Sequence, residues 1–462
     1  MKKKKIINVV KFGVLPNTGE LLTEKVQALI DSLPSTGGEI YFPRGKYLLS
    51  TLYLKSNVTI NIARGAFLLG TTDISKYGEI EKWDFPLYQD LSHSNFNCSL
   101  FVGKKLKNIT FKGFGVIDMM DGYDVGNVKN NDTHRGAKVI TLVECKNVLL
   151  EDIKVKNAAD LALYFVECDH LIARRLDLDV HIDGISPDNC TNVLVEDCKI
   201  VSGDDALVFK STYNLNHLSE CNNLIARNCY IKTRCNAIKF GTESNGGFRN
   251  AYISNMYFKN VREAGIAIES VDGAIIDNLN FDNIRMVNVN APIFIILGKR
   301  MRGPKELSVG SVSNIKISNV HASGPYPERY KTSIWNYYSF VNHMNYQDRW
   351  NFWGSFPKDT SDVDKTQPWQ ITSNICGLSD KPISNITLSN ITLELFGGAK
   401  KGQYKEEVFD DFDGYPEVFS YGWILPASGL FIRHVENLVL DNVSISTYKK
   451  DSRDKIITID CK

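Results

Sequence analysis

A short phrase, one asparagine followed by alternating apolar residues, recurs along this chain and limits what the chain can fold into. It reads Asn57-Val58-Thr59-Ile60, Asn108-Ile109-Thr110-Phe111, Asn147-Val148-Leu149-Leu150 and Asn192-Val193-Leu194-Val195, with His170-Leu171-Ile172 as a variant between the last two. It continues through Asn223, Asn250, Asn314, Asn385 and Asn437. From Asn108 to Asn250 successive copies are 39, 23, 22, 31 and 27 residues apart. Apolar alternation marks strands with one buried face. Self-similarity at a period of about 22 residues or more, built from such strands, marks stacked coils. Recurrent asparagines at matching turns can form hydrogen-bonded ladders. Helical periodicity is confined to residues 23–33, where Val26, Leu29, Ile30 and Leu33 share one side. Hairpin signals are few, which argues against a sandwich. The expected fold is all-β: a single-stranded right-handed parallel β-helix with an N-terminal capping helix. Residues 1–48 form the lead-in and cap, and 49–462 the coils, as one domain overall. Long loops are expected at about 71–100, 118–137, 322–382 and 400–425.

The bulk numbers agree with a solenoid. At 462 residues the chain exceeds the ~250–300 that one compact core usually holds. A net charge of +1 offers no basic face for nucleic acid. No apolar run approaches the ~20 residues of a membrane span. Lys2 to Lys5 resemble the start of a signal peptide, yet the apolar segment that should follow is missing. The expected location is therefore cytoplasmic, or secreted or periplasmic in a bacterium if an export signal lies outside this sequence. Ten cysteines contain no CxxC pair, so neither a metal nor another cofactor is expected. Cys145, Cys168, Cys190 and Cys221 each precede the repeat phrase by two residues, which predicts a column of buried thiols.

Chemistry concentrates between residues 181 and 211. Asp183-Gly184-Ile185 matches Asp205-Ala206-Leu207 at a distance of 22 residues, with Asp204 alongside. Adjacent coils lie one strand spacing apart, ~4.8 Å, so this register stacks Asp183 on Asp205. Crowded carboxylates repel, which raises the pKa of at least one. A protonated acid beside an ionised partner is the equipment of glycoside hydrolysis.

Gly203-Asp204-Asp205-Ala206-Leu207-Val208-Phe209-Lys210-Ser211, preceded by Asp183-Gly184-Ile185-Ser186-Pro187, resembles the Gly-Asp-Asp and Asn-Thr-Asp motifs of glycoside hydrolase family 28. These are the polygalacturonases and rhamnogalacturonases of pectin breakdown, in the pectin lyase-like β-helix superfamily. The likeness extends to Phe12-Gly13-Val14, to residues 38–47 and to Lys107-Asn108-Ile109-Thr110-Phe111, and so spans nearly the whole chain. It implies an inverting hydrolysis of a pectic polysaccharide or oligosaccharide by a monomer. In it Asp204 is the general acid, while Asp183 and Asp205 activate water. Two departures stand out: Cys235-Asn236-Ala237 replaces the family's Gly-His-Gly, and Ala267-Ile268-Glu269 replaces its carboxylate-gripping Arg-Ile-Lys. By coil register, Val208, Lys239 and Ala267 share one outward column, and Lys210, Gly241 and Glu269 another. Lys239 is then placed to meet an acidic sugar, and Glu243 and Glu269 to hydrogen-bond neutral hydroxyls. His181, Lys210 and Asn236 complete the expected substrate contacts. A neutral α-linked sugar is the alternative substrate, and a non-catalytic carbohydrate-binding protein the alternative class. Long aromatic loops that close the groove favour exo action.

Overall fold

The computed structural model describes residues 5–122, 136–324, 371–404, 406–418, 420–422 and 425–462. The loop expected over 322–382 lies almost wholly outside the described residues, with Tyr326, Tyr330, Trp335, Tyr337, Tyr338, Trp350, Phe352, Trp353 and Trp369. So do Trp423 and most of the loop expected over 118–137. Among the described residues no helix is long and apolar enough to cross a membrane.

The fold is a right-handed parallel β-helix with an N-terminal capping helix. Internal packing divides the chain into two units, Met1–Thr233 with Gly246–Ile253, and Arg234–Asn245 with Ser254–Lys462. In the first unit each coil contributes one strand to each of three parallel rows. One row runs through Lys107–Lys112, Lys146–Glu151, Asp169–Arg174, Thr191–Glu196 and Glu220–Arg227, with Ile109, Val148, Leu171, Val193 and Leu224 in register. A second includes Lys154–Lys156, Asp177–Asp179, Lys199–Ser202 and Tyr230–Thr233. The third runs through Ser99–Lys104, Lys138–Val143, Leu163–Val166, Ile185–Asp188 and Leu207–Ser211. Alternation explains the core: Leu150, Ala173, Val195 and Ala226 point inward and are fully buried, while the residues between them face out.

Asparagine turns the corners. Asn57, Asn108, Asn147, Asn192 and Asn223 all have φ between 55° and 66°, the left-handed region that asparagine tolerates better than most residues. Its amide both donates and accepts, so equivalent side chains link. Asn108 donates to Asn57 at 2.7 Å and Asn147 to Asn108 at 3.1 Å. In the second unit Asn385 donates to Asn314 at 2.8 Å and Asn437 to Asn385 at 2.9 Å. All ten cysteines are free thiols. The expected column is present: the Cys168 amide donates to Cys190 Sγ at 3.4 Å and the Cys190 amide to Cys221 Sγ at 3.3 Å.

The capping helix, Thr23–Asp31, buries Val26, Leu29 and Ile30. Gln27 fixes it to strand Leu52–Tyr53, accepting from the Tyr53 amide at 2.8 Å and donating to the Tyr53 carbonyl at 3.0 Å. The second unit stacks longer, bent strands: Ile275–Leu297, Ser311–Ser323, Ile383–Gly397 and Ala427–Lys449, with Leu279, Ile315, Ile386 and Leu438 in register.

Loops are fastened to the coils by buried polar groups. In the first unit Lys138 and Asp160 form an ion pair at 3.3 Å with both side chains fully buried. Lys138 also donates to the Asn95 carbonyl at 3.0 Å, and Ser92 donates to Asp160 at 3.0 Å, so the pair clamps the 71–100 loop. In the second unit Phe412, Val418 and Tyr421 pack on Ala264, Ala267, Phe294, Ile296 and Phe431. The same segment carries Glu417, which burial and the neighbouring Glu263 carboxylate push well above the usual carboxylate range, against the opposing pull of Lys239.

Lys138→Met is expected to lower unfolding stability by about 3–5 kcal/mol, because the Asp160 carboxylate is left buried without its cation. Lys138→Met combined with Asp160→Asn should recover a large part of that loss in urea denaturation. Glu417 gives a second expectation with a definite sign. Its folded form holds a proton more tightly than the unfolded chain, whose reference value is 4.5. Stability therefore falls as pH rises from that value toward the folded one. Glu417→Gln should melt close to wild type at pH 4 and above it at pH 8, and equal melting temperatures at pH 8 would refute this account.

Candidate active site

Two turns of the first unit, each leading into a strand of the third row, carry the carboxylates. Ile185 pairs with Leu207, which places Asp183 and Asp205 at equivalent positions of consecutive coils. Backbone bonds fix both turns: the Gly184 amide donates to the Asp205 carbonyl at 3.0 Å, and the Ala162 amide to the Asp183 carbonyl at 2.9 Å. Glycine is required between them, since a Cβ at Gly184 would lie 2.5 Å from the Ala206 carbonyl oxygen. Gly203 is tighter still, at 2.1 Å from the His181 carbonyl oxygen.

Asp204 is held from both sides. Its carbonyl accepts from Ser202 Oγ at 2.7 Å and from Thr233 Oγ1. Its carboxylate accepts from the Asp205 amide at 2.9 Å and lies within 4.8 Å of the Asp205 carboxylate. Asp183 and Asp205 are each 4% exposed, whereas Asp204 is only half-buried. Lys210, 5% exposed, sets its ammonium 3.3 Å from Asp183 Oδ2. His181 Nε2 pairs with the Asp121 carboxylate.

One buried acid of this region escaped the sequence reading. Asp188, on the strand that follows Asp183, accepts from Tyr164 Oη at 2.7 Å, the Thr212 amide at 2.9 Å and Asn214 Nδ2 at 3.1 Å. Burial pushes its carboxyl above the usual range. The 22-residue coil interval back from Lys210, at whose register position Asp188 stands, was the available signal.

The other expected contacts belong to the second unit. Lys239 pairs in register with Ala267, as the coil arithmetic requires. Ala267 is sealed in the apolar cluster with Phe412 and Tyr421. Lys239 Nζ lies 3.6 Å from Glu269 Oε2, with side-chain exposures of 3% and 1%. Asn236 accepts from the Ala264 amide at 2.9 Å and donates to Glu263 at 3.4 Å, and Cys235 Sγ donates to the same carboxylate at 2.9 Å. Glu243 meets the Arg302 guanidinium at 3.4 Å. Arg300 pairs with Asp272, donates to the Thr242 carbonyl at 3.0 Å and lies over the Tyr415 ring at 5.2 Å. Glu263, Arg300, Arg302 and Glu417 were not anticipated. Glu263 had a signal, since it stands 28 residues after Cys235, the same interval as Lys239 to Ala267. The other three sit on loops without a period.

Comparison with known proteins places this arrangement. The chain is 27% identical to a probable polygalacturonase of Vitis vinifera over 285 residues, 57% of this chain and 56% of that one. It is 26% identical to an exo-poly-alpha-D-galacturonosidase of Dickeya chrysanthemi over 256 residues, 44% of this chain and 42% of that one. The chain thus spans about half the length of these curated relatives. In fold it is similar to an exopolygalacturonase of Thermotoga maritima (TM-score 0.68, 17% identity, covering 96% of this chain and 92% of that one). It is also similar to a family 28 exopolygalacturonase of Yersinia enterocolitica (TM-score 0.69, 18% identity, covering 100% of this chain and 78% of that one). The model of glycosyl hydrolases family 28 matches residues 39–325, more than half of the sequence, and the chain belongs to that family.

Proposed function

We propose that the protein hydrolyses glycosidic bonds in a pectic polysaccharide or oligosaccharide, with inversion at the anomeric carbon. The observation that carries this reading is the stacking of Asp183 on Asp205 with the more accessible Asp204 beside them. Asp204 donates its proton to the glycosidic oxygen as the carbon–oxygen bond breaks. A water oxygen forms the new bond to the anomeric carbon from the opposite face, and its proton passes to the Asp183/Asp205 pair. Exo action agrees with the name of the Dickeya chrysanthemi relative, an exo-poly-alpha-D-galacturonosidase, and finding only mid-chain cleavage of long substrates would rule it out.

A second reading keeps this acid set and changes the sugar to a neutral α-linked one. It is favoured by the second unit, where Lys239 is buried against Glu269 and where Ala267 is packed under Phe412. A cation so enclosed is poorly placed to receive a uronate carboxylate.

The test is reducing-sugar release from pectic, rhamnogalacturonan and neutral galactan oligosaccharides, comparing wild type with Asp204→Asn. Release is expected from at least one of them and should fall by about 10²–10⁴-fold in the variant, the usual worth of a general acid. The substrate cleaved decides between acidic and neutral sugars. Binding without release in both proteins would replace hydrolysis with carbohydrate binding alone.

A further inference from the structure

We propose that Lys210 is a positioning residue, which acts on the reaction through Asp183 rather than by touching the sugar. This inference rests on the hydrolase reading above. Its basis is the Nζ–Oδ2 separation of 3.3 Å between two side chains that are only 6% and 5% exposed. A lysine this enclosed has its ammonium committed inside the protein, because a buried cation needs a paired anion. Its stem is fixed as well. Lys210 belongs to strand Leu207–Ser211, its carbonyl accepts from the Asn189 amide at 2.9 Å and from Cys221 Sγ at 3.2 Å, and the strand pairs with Ile185–Asp188.

The surrounding charges explain what the ammonium does. Asp204 and Asp205 occupy the turn just before its strand, with carboxylates within 4.8 Å of each other. Asp188 stands at Lys210's own register position on the preceding coil. Burial favours the protonated form of Asp188, and Tyr164, Thr212 and Asn214 already donate to it, so it competes weakly for the lysine. His181, two residues before Asp183, is engaged by Asp121. Cys221 Sγ donates to the Lys210 carbonyl at 3.2 Å and to the Pro187 carbonyl at 3.7 Å, and so engages the backbone of Lys210. Two carboxylates that share one water are driven by repulsion to keep a proton between them. An ammonium on Asp183 Oδ2 offsets that repulsion and favours negative charge on both members of the pair. The second carboxylate oxygen of Asp183 is thereby oriented for water.

The experiment compares wild type, Lys210→Met and Lys210→Arg on whichever oligosaccharide the wild type cleaves, with kcat and KM measured across pH. Loss of the ammonium should lower kcat by about 10²-fold and leave KM nearly unchanged. The acidic limb of kcat/KM should move to higher pH by about 1–3 units, and Lys210→Arg should restore much of both. Raised KM with the acidic limb in place would overturn the inference in favour of a substrate contact. A lowered melting temperature with unchanged kcat and unchanged limb would overturn it in favour of a purely structural lysine. Absence of any Asp204-dependent release by wild type is a different failure: it removes the hydrolase reading itself, whatever the Lys210 variants do.

Discussion

Everything in this molecule depends on backbone hydrogen bonds between one coil and the next. They form only where consecutive coils bring the same residue of the repeat to the same place, so coil length is the controlled quantity. Between Leu163 and Leu207 that length is held at 22 residues for two coils in succession. There the turns superpose, and there the acidic pair is stacked. Elsewhere the interval changes, and where it lengthens the surplus residues leave as loops while the strands on either side stay in register. Scaffold and site are therefore governed by the same arithmetic: a residue inserted between Asp183 and Asp205 would spoil both the ladder and the acid pair.

The two units treat buried charge differently. In the first, carboxylates at the turns are matched by a lysine from the adjoining strand and by oriented backbone amides. In the second, Glu263, Glu269 and Glu417 gather around Lys239, on coils that also carry the apolar cluster of Ala264, Ala267, Phe412 and Tyr421. The first arrangement sets a cation directly against a carboxylate. The second keeps at least one acid protonated and takes its cation out of reach. Such a cluster is costly to bury unless its members satisfy one another, which gives the 406–422 segment a chemical reason, besides its aromatic contacts, to be specified closely.

What could be read from the sequence was whatever repeats. The asparagine phrase predicts the strand rows, the ladder and the thiol column because each needs one residue type at one recurring position. Register arithmetic likewise predicts that Asp183 lies over Asp205 and that Lys239 lies beside Ala267. What could not be read was whatever a loop brings to a coil. Nothing periodic announces that Asp121 will meet His181, that Arg302 will meet Glu243, or that Glu417 will descend on Lys239 and Glu269. Those partners are joined across 60 and 59 residues in the first two cases, and no local preference encodes such a meeting. Lys210 lies between the extremes. Its place on the strand follows from alternation, but its contact with Asp183 is displayed only by the packed structure.

A stack in which each coil touches only its neighbours does not melt all at once; it frays from its ends. Among the described residues, strand Asp454–Cys461 is largely exposed and pairs only with Ala427–Lys449, so it is expected to fray early in the second unit. The coil that carries Asp183 is flanked on both sides, by Leu163–Val166 and by Leu207–Ser211. Amide hydrogens on its strand should accordingly exchange among the slowest in the first unit. The candidate catalytic carboxylates then sit in a stretch of chain whose local opening requires several coils to part together, so end fraying at ordinary temperatures leaves their spacing untouched.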